Sequence, residues 1–143
     1  MNLKETWKNN PVLVLVLVAF VISLLVLVWS WVQRFFNYFS STVKSIGSTI
    51  STDQAQAIAN SIYSEVNSMF TDEDVIVEKL IPLSLADYFK VKAAFGLQPY
   101  NTTLDEFGSL TGENMNLTQV LNLTLHENDK EKLRKANPKL PIG

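Results

Sequence analysis

The sequence predicts an all-α fold: one N-terminal transmembrane helix that continues into a stalk and is followed by a small bundle of short helices. Three observations predict this fold. A long apolar segment lies near the N-terminus, an amphipathic stripe follows it, and repeated helix-capping signals come after residue 50 without sustained polar–apolar alternation. We expect five parts: an N-terminal tail (1–11), the transmembrane helix (12–32), the stalk (33–50), a helical domain (51–137) and a C-terminal tail (138–143).

Length and composition exclude several classes of function. Beyond the apolar segment, the 143-residue chain is long enough for one small domain. A net charge of −2 provides no basic surface for nucleic acid, and the lack of cysteine excludes disulfides, thiolate metal sites and cysteine nucleophiles. The single histidine, His126, has no metal-ligand spacing around it, and no P-loop, dinucleotide-binding turn or serine-nucleophile motif is present. We therefore expect no enzyme activity, cofactor or metal site.

The apolar segment from Val12 to Val32 predicts a single transmembrane helix. It contains no charge, and its only polar residues are Ser23 and Ser30. At about 1.5 Å per residue, a helix of this length crosses a hydrocarbon core of about 30 Å. Its valine-rich start would suit a strand in water, but in lipid the backbone must satisfy its hydrogen bonds internally, so we expect a helix. A secretory signal would be shorter and followed by a small-residue cleavage site.

Aromatic residues flank this segment, as is typical of side chains at a membrane interface. The predicted interface residues are Trp7 on one side and Trp29, Trp31 and Phe35 on the other. Lys4, Lys8 and the terminal amine on the N-terminal side exceed Arg34 and Lys44 on the other by one charge. This excess slightly favours an N-terminus in the cytoplasm, with the domain outside it or in the equivalent position in a virus particle.

Past the membrane, apolar residues recur at alternating steps of three and four, which is the pattern of a helix that packs along a narrow seam. The predicted seam consists of Val32, Phe36, Phe39, Val43, Ile46 and Ile50. We expect the transmembrane helix to continue to about Gly47 or Ile50. Two interpretations stay open: the seam serves self-association or docking to a partner helix, or it packs on the chain's own domain or lies in the membrane interface.

The remainder of the chain reads as five or six short capped helices. The predicted starts are Ser51 with Gln54, Thr71 with Asp74, Ser84 with Asp87, Thr103 with Glu106, Asn116, and Asn128 with Glu131. The predicted stops are Pro82, Gly96, Gly112 and Pro138. Apolar residues expected in the core include Ile62, Val66, Met69, Leu80, Leu85, Tyr88, Phe95, Leu104, Phe107, Leu121 and Leu133.

The order of Thr71-Asp72-Glu73-Asp74, Lys92-Ala93-Ala94-Phe95-Gly96 and Leu110-Thr111-Gly112 resembles one annexin-type repeat, a four-helix unit. It is similar to small single-repeat helical proteins of Bacteroidota and their bacteriophages, over about residues 52–137. Annexins bind calcium through a glycine-rich loop just before this acidic run. Here the loop reads Asn67-Ser68-Met69-Phe70 and lacks glycine, so we expect the carboxylates to stabilise a helix N-terminus instead.

The leading functional hypothesis is a structural membrane protein that links a bilayer to an adjacent protein layer, as in a bacteriophage with an internal membrane. Its expected partners are the lipid bilayer, capsid or other membrane proteins and further copies of the chain, but not nucleic acid. The expected location is a virion membrane or a bacterial inner membrane. The alternatives are a holin-like lysis protein and a host envelope subunit, and the lack of polar residues within the span counts against a water-filled lesion.

Overall fold

A computed structural model of the chain describes residues 11–108 and 111–143. The predicted N-terminal tail up to residue 10, with Trp7, lies outside the described residues, as does Leu110. The chain divides into two compact units, Met1–Phe35 and Phe36–Gly143. Each unit is therefore described by itself.

The first helix, α1, spans Pro11–Lys44 and is 34 residues long. It is the one helix, among those the structure describes, that is long and apolar enough to cross a membrane. The two serines do not interrupt it, and the Ser23 hydroxyl donates a 2.8 Å hydrogen bond to the carbonyl oxygen of Ala19. A helix of this length extends for about 50 Å, which exceeds the hydrocarbon thickness of a bilayer.

The end of α1 differs from the sequence-based expectation. The helix ends at Lys44, so the prediction that it continues to Gly47 or Ile50 is wrong. Gly47 adopts a positive φ of 90°, which turns the chain away from the helical path. Ile46 and Ile50 therefore lie outside the helix; Ile46 is exposed, and Ile50 packs against the core of the second unit.

Five short helices follow among the described residues: α2 (Thr52–Val66), α3 (Glu73–Leu80), α4 (Leu85–Phe95), α5 (Leu117–Thr124) and α6 (Glu127–Ala136). The predicted all-α class, a long apolar helix followed by short ones, is confirmed. Three capping signals operate as expected, because Ser51, Ser84 and Asn116 each cap a helix through a reciprocal capping box.

Two predicted helix starts are displaced. The cap of α3 is Asp72 and not Thr71, because the Asp72 carboxylate accepts a 3.2 Å hydrogen bond from the backbone N–H of Val75. The cap of α6 is His126 and not Asn128. The carbonyl of His126 already accepts the first helical bond, from Lys130 N–H at 3.0 Å, so the helix begins two residues earlier than expected.

A small antiparallel sheet stands where a further helical turn was expected from Thr103, and that prediction is wrong. Its strands are β1 (Leu97–Asn101), β2 (Glu106–Phe107) and β3 (Glu113–Asn116), in the order β2-β1-β3. The Asn101 side chain accepts hydrogen bonds from the backbone N–H of Thr103 and Leu104 and thereby turns the chain out of β1. Gly112 then passes so close to β1 that a Cβ there would lie 2.9 Å from the backbone nitrogen of Tyr100.

One core fills the second unit. Its largest fully buried side chains are Tyr88, Tyr100, Ile62, Ile76, Leu80, Leu117, Leu121 and Leu133. The sheet joins this core through Phe107, whose ring stacks on that of Tyr63 at 4.4 Å between centroids. Three expected core residues, Met69, Leu85 and Leu104, are exposed. Met69 is exposed because α2 ends at Val66, which removes it from the buried face of that helix.

Candidate functional site: a membrane anchor and its attachment

The apolar part of α1 exposes side chains around the helix, with Val14 the one buried residue among those described between 12 and 32. Consecutive residues such as Val26, Leu27 and Val28 are each about 60% exposed. A helix of a water-soluble protein would bury one face and present a polar one to solvent. An apolar surface of this extent is unfavourable in water and suits the hydrocarbon core of a bilayer.

The predicted interface residues lie at the C-terminal end of this apolar surface. Trp29, Trp31 and Phe35 are all exposed on α1, Trp31 most of all at 80%. Their rings can therefore reach a lipid interface without any rearrangement of the helix, and the two tryptophans have the amphipathic rings that prefer this level of a bilayer. Trp7, the fourth predicted interface residue, lies outside the described residues.

The predicted seam is divided by the end of α1. Val32, Phe36, Phe39 and Val43 lie on the helix with exposed side chains, whereas Ile50 lies beyond it and packs on the core. In the second unit, the opposite and more polar side of α1 faces the helical domain. Ser41 is buried, and a cavity of about 400 Å³ is lined by Tyr38, Thr42 and Ser45 together with residues of α2 and α4. The apolar seam on α1 therefore lies on the side of the helix that faces away from the helical domain of the second unit.

Asp87 fastens the segment that follows α1 to the start of α4. One carboxylate oxygen accepts hydrogen bonds from Ser48 Oγ at 2.7 Å, from the Thr49 backbone N–H at 2.7 Å and from the Ile50 backbone N–H at 3.2 Å. The other oxygen accepts from Ser84 Oγ at 2.6 Å and from the Ser84 backbone N–H at 3.2 Å, and the second of these bonds is part of the α4 capping box. The side chain is 97% buried by these partners, with a relative exposure of only 3%.

The charge of Asp87 is stabilised by these donors. Burial raises the pKa of the Asp87 carboxyl group. The hydrogen bonds from the Ser84 and Ser48 hydroxyls and from two backbone N–H groups lower this pKa by more than burial raises it. The net result is a pKa well below the usual range for aspartate. The carboxylate is therefore ionised at neutral pH and holds its donors with charge-assisted hydrogen bonds.

A second contact reinforces this attachment. Lys90, one turn further along α4, donates a 2.6 Å hydrogen bond from its Nζ to the carbonyl oxygen of Ile50. The backbone N–H and C=O of Ile50 are thus both bound by side chains of α4. Sequence reasoning identified Asp87 as a capping residue only, because its bonds to Thr49 and Ile50 join residues almost 40 positions apart.

The acidic run at the start of α3 is engaged by neighbouring side chains. Asp72 caps the helix, Glu73 Oε1 lies 2.9 Å from His126 Nδ1, and Asp74 accepts a 2.7 Å hydrogen bond from Lys132. Lys132 also bonds Asp129 at 2.9 Å. The cap at Asp72 fits the expectation that the carboxylates stabilise a helix N-terminus, and the contacts of Glu73 and Asp74 also join α3 to the α6 region.

The described chain therefore offers two connected features: an exposed apolar helix and a short, firmly bonded segment at its end. In residues 11–108 and 111–143, no group of three or more histidine and carboxylate side chains is arranged to hold a metal ion. Similarity to known proteins gives no further indication of function. The chain matches no protein-family model, no curated protein and no solved structure.

Proposed function

We propose that this protein is a non-enzymatic, single-pass membrane protein that holds its helical domain at a bilayer and links that bilayer to an adjacent protein layer. The observation that carries the proposal is the apolar surface of α1, which is exposed around the helix over a length sufficient to span a membrane. Burial in lipid is the arrangement that removes this surface from water.

The mode of attachment supports a linking role more than that of a flexible tether. A tether would be a glycine- and serine-rich stretch free of contacts. Here the segment between α1 and α2 is short, and Asp87 and Lys90 bind its backbone at Thr49 and Ile50. The segment is therefore bound by α4 instead of being free, which suits a protein that connects two layers.

The setting that we propose is the membrane of a bacteriophage particle, with the domain on the non-cytoplasmic or equivalent side and a capsid protein as partner. We propose this setting from the sequence motifs at residues 71–74 and 92–96, which resemble those of single-repeat helical proteins of bacteriophages. The outward apolar seam at Phe36, Phe39 and Val43 supports association with another helix, either of a second copy or of a neighbouring membrane protein.

Membrane extraction tests the anchor. Membranes from cells that express the full chain are washed at alkaline pH, and the protein should stay in the pellet. Val18→Arg with Leu25→Arg is the test variant, since each arginine in the span costs about 2.5–3.5 kcal/mol and should move the chain to the supernatant. Ser64→Arg with Asn128→Arg, at exposed sites of the domain, adds the same charge and should leave the chain in the pellet. Release of the unmodified chain would exclude an integral membrane protein.

Two further measurements test the role. The chain contains no cysteine, so a cysteine at exposed Ser64 gives a single crosslinking site on the domain. We expect it to crosslink to a protein of the adjacent layer, and we expect purified particles to contain the chain. Collapse of the membrane potential on expression of the chain alone would favour the holin-like alternative and contradict a structural role.

A further inference from the structure

Two lysines converge on one aromatic ring in the second unit. Lys44 Nζ, at the last position of α1, lies 4.9 Å from the ring centroid of Phe89 on α4. Lys92 Nζ, also on α4, lies 5.9 Å from the same centroid. The fold therefore brings together two cations that are distant in the sequence and places them around a partly exposed ring.

Neither of these cations has a carboxylate partner among the described residues. Neither Lys44 nor Lys92 forms an ion pair there, and Asp87 on the same helix as Lys92 is already bound by its own donors. Partial burial and, second, the charge of Lys44 lower the pKa of Lys92. An anion bound beside both ammonium groups would relieve this repulsion between their charges.

The position of the pair along α1 indicates which anion. The predicted interface residues end at Phe35, and such residues prefer the headgroup level of a bilayer. Lys44 follows nine residues later, about 13–14 Å along the helix. The headgroup layer extends about 5–8 Å beyond the hydrocarbon core, and a lysine side chain can reach back towards it.

We propose that Lys44, Phe89 and Lys92 form a binding site for the phosphate of an anionic phospholipid headgroup. The proposal rests on the membrane anchoring proposed above and adds a ligand to it. Lys44 and Lys92 supply the positive charges, and the ring of Phe89 lies within cation–π distance of both ammonium groups. A lipid bound there would connect α4 directly to the bilayer surface, in addition to the covalent connection through α1.

Lipid titration of the full chain in neutral detergent micelles tests the site. The probes are short-chain phosphatidylglycerol, short-chain phosphatidylcholine and inorganic phosphate, and the readout is the dissociation constant from native mass spectrometry. We expect phosphatidylglycerol to bind the unmodified chain more tightly than either other probe. Lys44→Gln and Lys92→Gln should each weaken this binding about fivefold, since one lysine near an anionic surface contributes about 1 kcal/mol. The double variant should lose about 25-fold.

Lys79→Gln with Lys139→Gln is the matched control, because it removes the same net charge from lysines that have no ion pair in the described chain. It should bind phosphatidylglycerol like the unmodified chain. Equal binding by the double variant and the control would overturn the site, and so would equal binding of phosphatidylcholine. Equal binding of inorganic phosphate would overturn its assignment to a lipid. Far-UV circular dichroism checks that each variant is folded. If the variant with both Lys44→Gln and Lys92→Gln loses helix content, the two single variants test the site instead.

The result of the lipid titration can be distinguished from the result of the alkaline extraction that tests the membrane anchor. If the unmodified chain resists alkaline extraction yet shows no preference for phosphatidylglycerol, the lipid site fails and the anchor stands. If alkaline washing releases the unmodified chain, the membrane anchor fails, and any binding by Lys44 and Lys92 is then that of an anion site on a soluble protein.

Discussion

Replacement of Asp87 by asparagine is the sharpest test of how the anchor is attached. The change preserves the size of the side chain but removes its charge, and the new amide group cannot accept the bonds that one carboxylate oxygen accepts from Ser84. The remaining carbonyl oxygen would serve Ser48, Thr49 and Ile50 as a neutral acceptor only. The site is buried, so donors that lose a partner there cannot be compensated by bulk water.

The expected loss follows from these bonds. A hydrogen bond to a charged group contributes about 1.5–3 kcal/mol, and a buried donor left unsatisfied costs about 1–3 kcal/mol. Because several donors share one carboxylate, their contributions do not add, and we expect Asp87→Asn to lower the free energy of unfolding by about 3 kcal/mol. Asp53→Asn, in the exposed first turn of α2, is the matched control and should change the free energy of unfolding by less than about 0.5 kcal/mol.

Two assays on the full chain in detergent micelles report the result. Urea unfolding followed by far-UV circular dichroism gives the change in the free energy of unfolding of the domain. Hydrogen exchange gives the local effect, and the amides of Thr49 and Ile50 should exchange faster in Asp87→Asn while those in the middle of α5 stay protected. A loss below 0.5 kcal/mol with unchanged exchange at both amides would refute the attachment that we describe.

Three further predictions concern the same domain. The folded-state pKa of Asp87 lies below that of the unfolded chain, so its stabilisation is complete above pH 4 and falls on acidification towards pH 2; urea midpoints should show this fall in the unmodified chain and a smaller one in Asp87→Asn. Gly112→Ala would push a methyl group against the backbone of Tyr100 and should cost about 1–3 kcal/mol in urea unfolding, so an unchanged midpoint would contradict the packing of Gly112 on β1. Leu121→Ala, in the core, should cost about 2–5 kcal/mol, whereas Leu123→Ala, on the exposed side of α5, should cost less than 1 kcal/mol; similar losses would mean that the buried face of α5 is misassigned.

Local signals predicted most of the helical architecture. The capping boxes at Ser51 and Ser84 operate within four residues of sequence, so their chemistry can be read directly from the chain. The charge-free stretch from Val12 to Val32 is equally local and predicts the apolar part of α1. These features need no knowledge of what packs against them, which is why the sequence specifies them well.

The features that sequence analysis missed depend on distant residues. β1 contains Pro99 and Gln98 and has no alternating pattern, so only its pairing with β2 and β3 makes it a strand. The end of α1 depends on a turn at Gly47 and on bonds from Asp87, which no local rule anticipates. In the candidate site, the seam could be read from its spacing, but the convergence of Lys44 and Lys92 on Phe89 required the folded arrangement of α1 and α4.

The separation between Asp87 and its donors also sets an order of events during synthesis. Thr49 leaves the ribosome 38 residues before the carboxylate that binds it. At about 5–20 residues per second, this interval lasts roughly 2–8 s. Throughout that time the segment that follows α1 is still without the carboxylate that binds it. The bonds to Thr49 and Ile50 therefore form only after α4 has been made, and the membrane insertion of α1 that we propose can precede them.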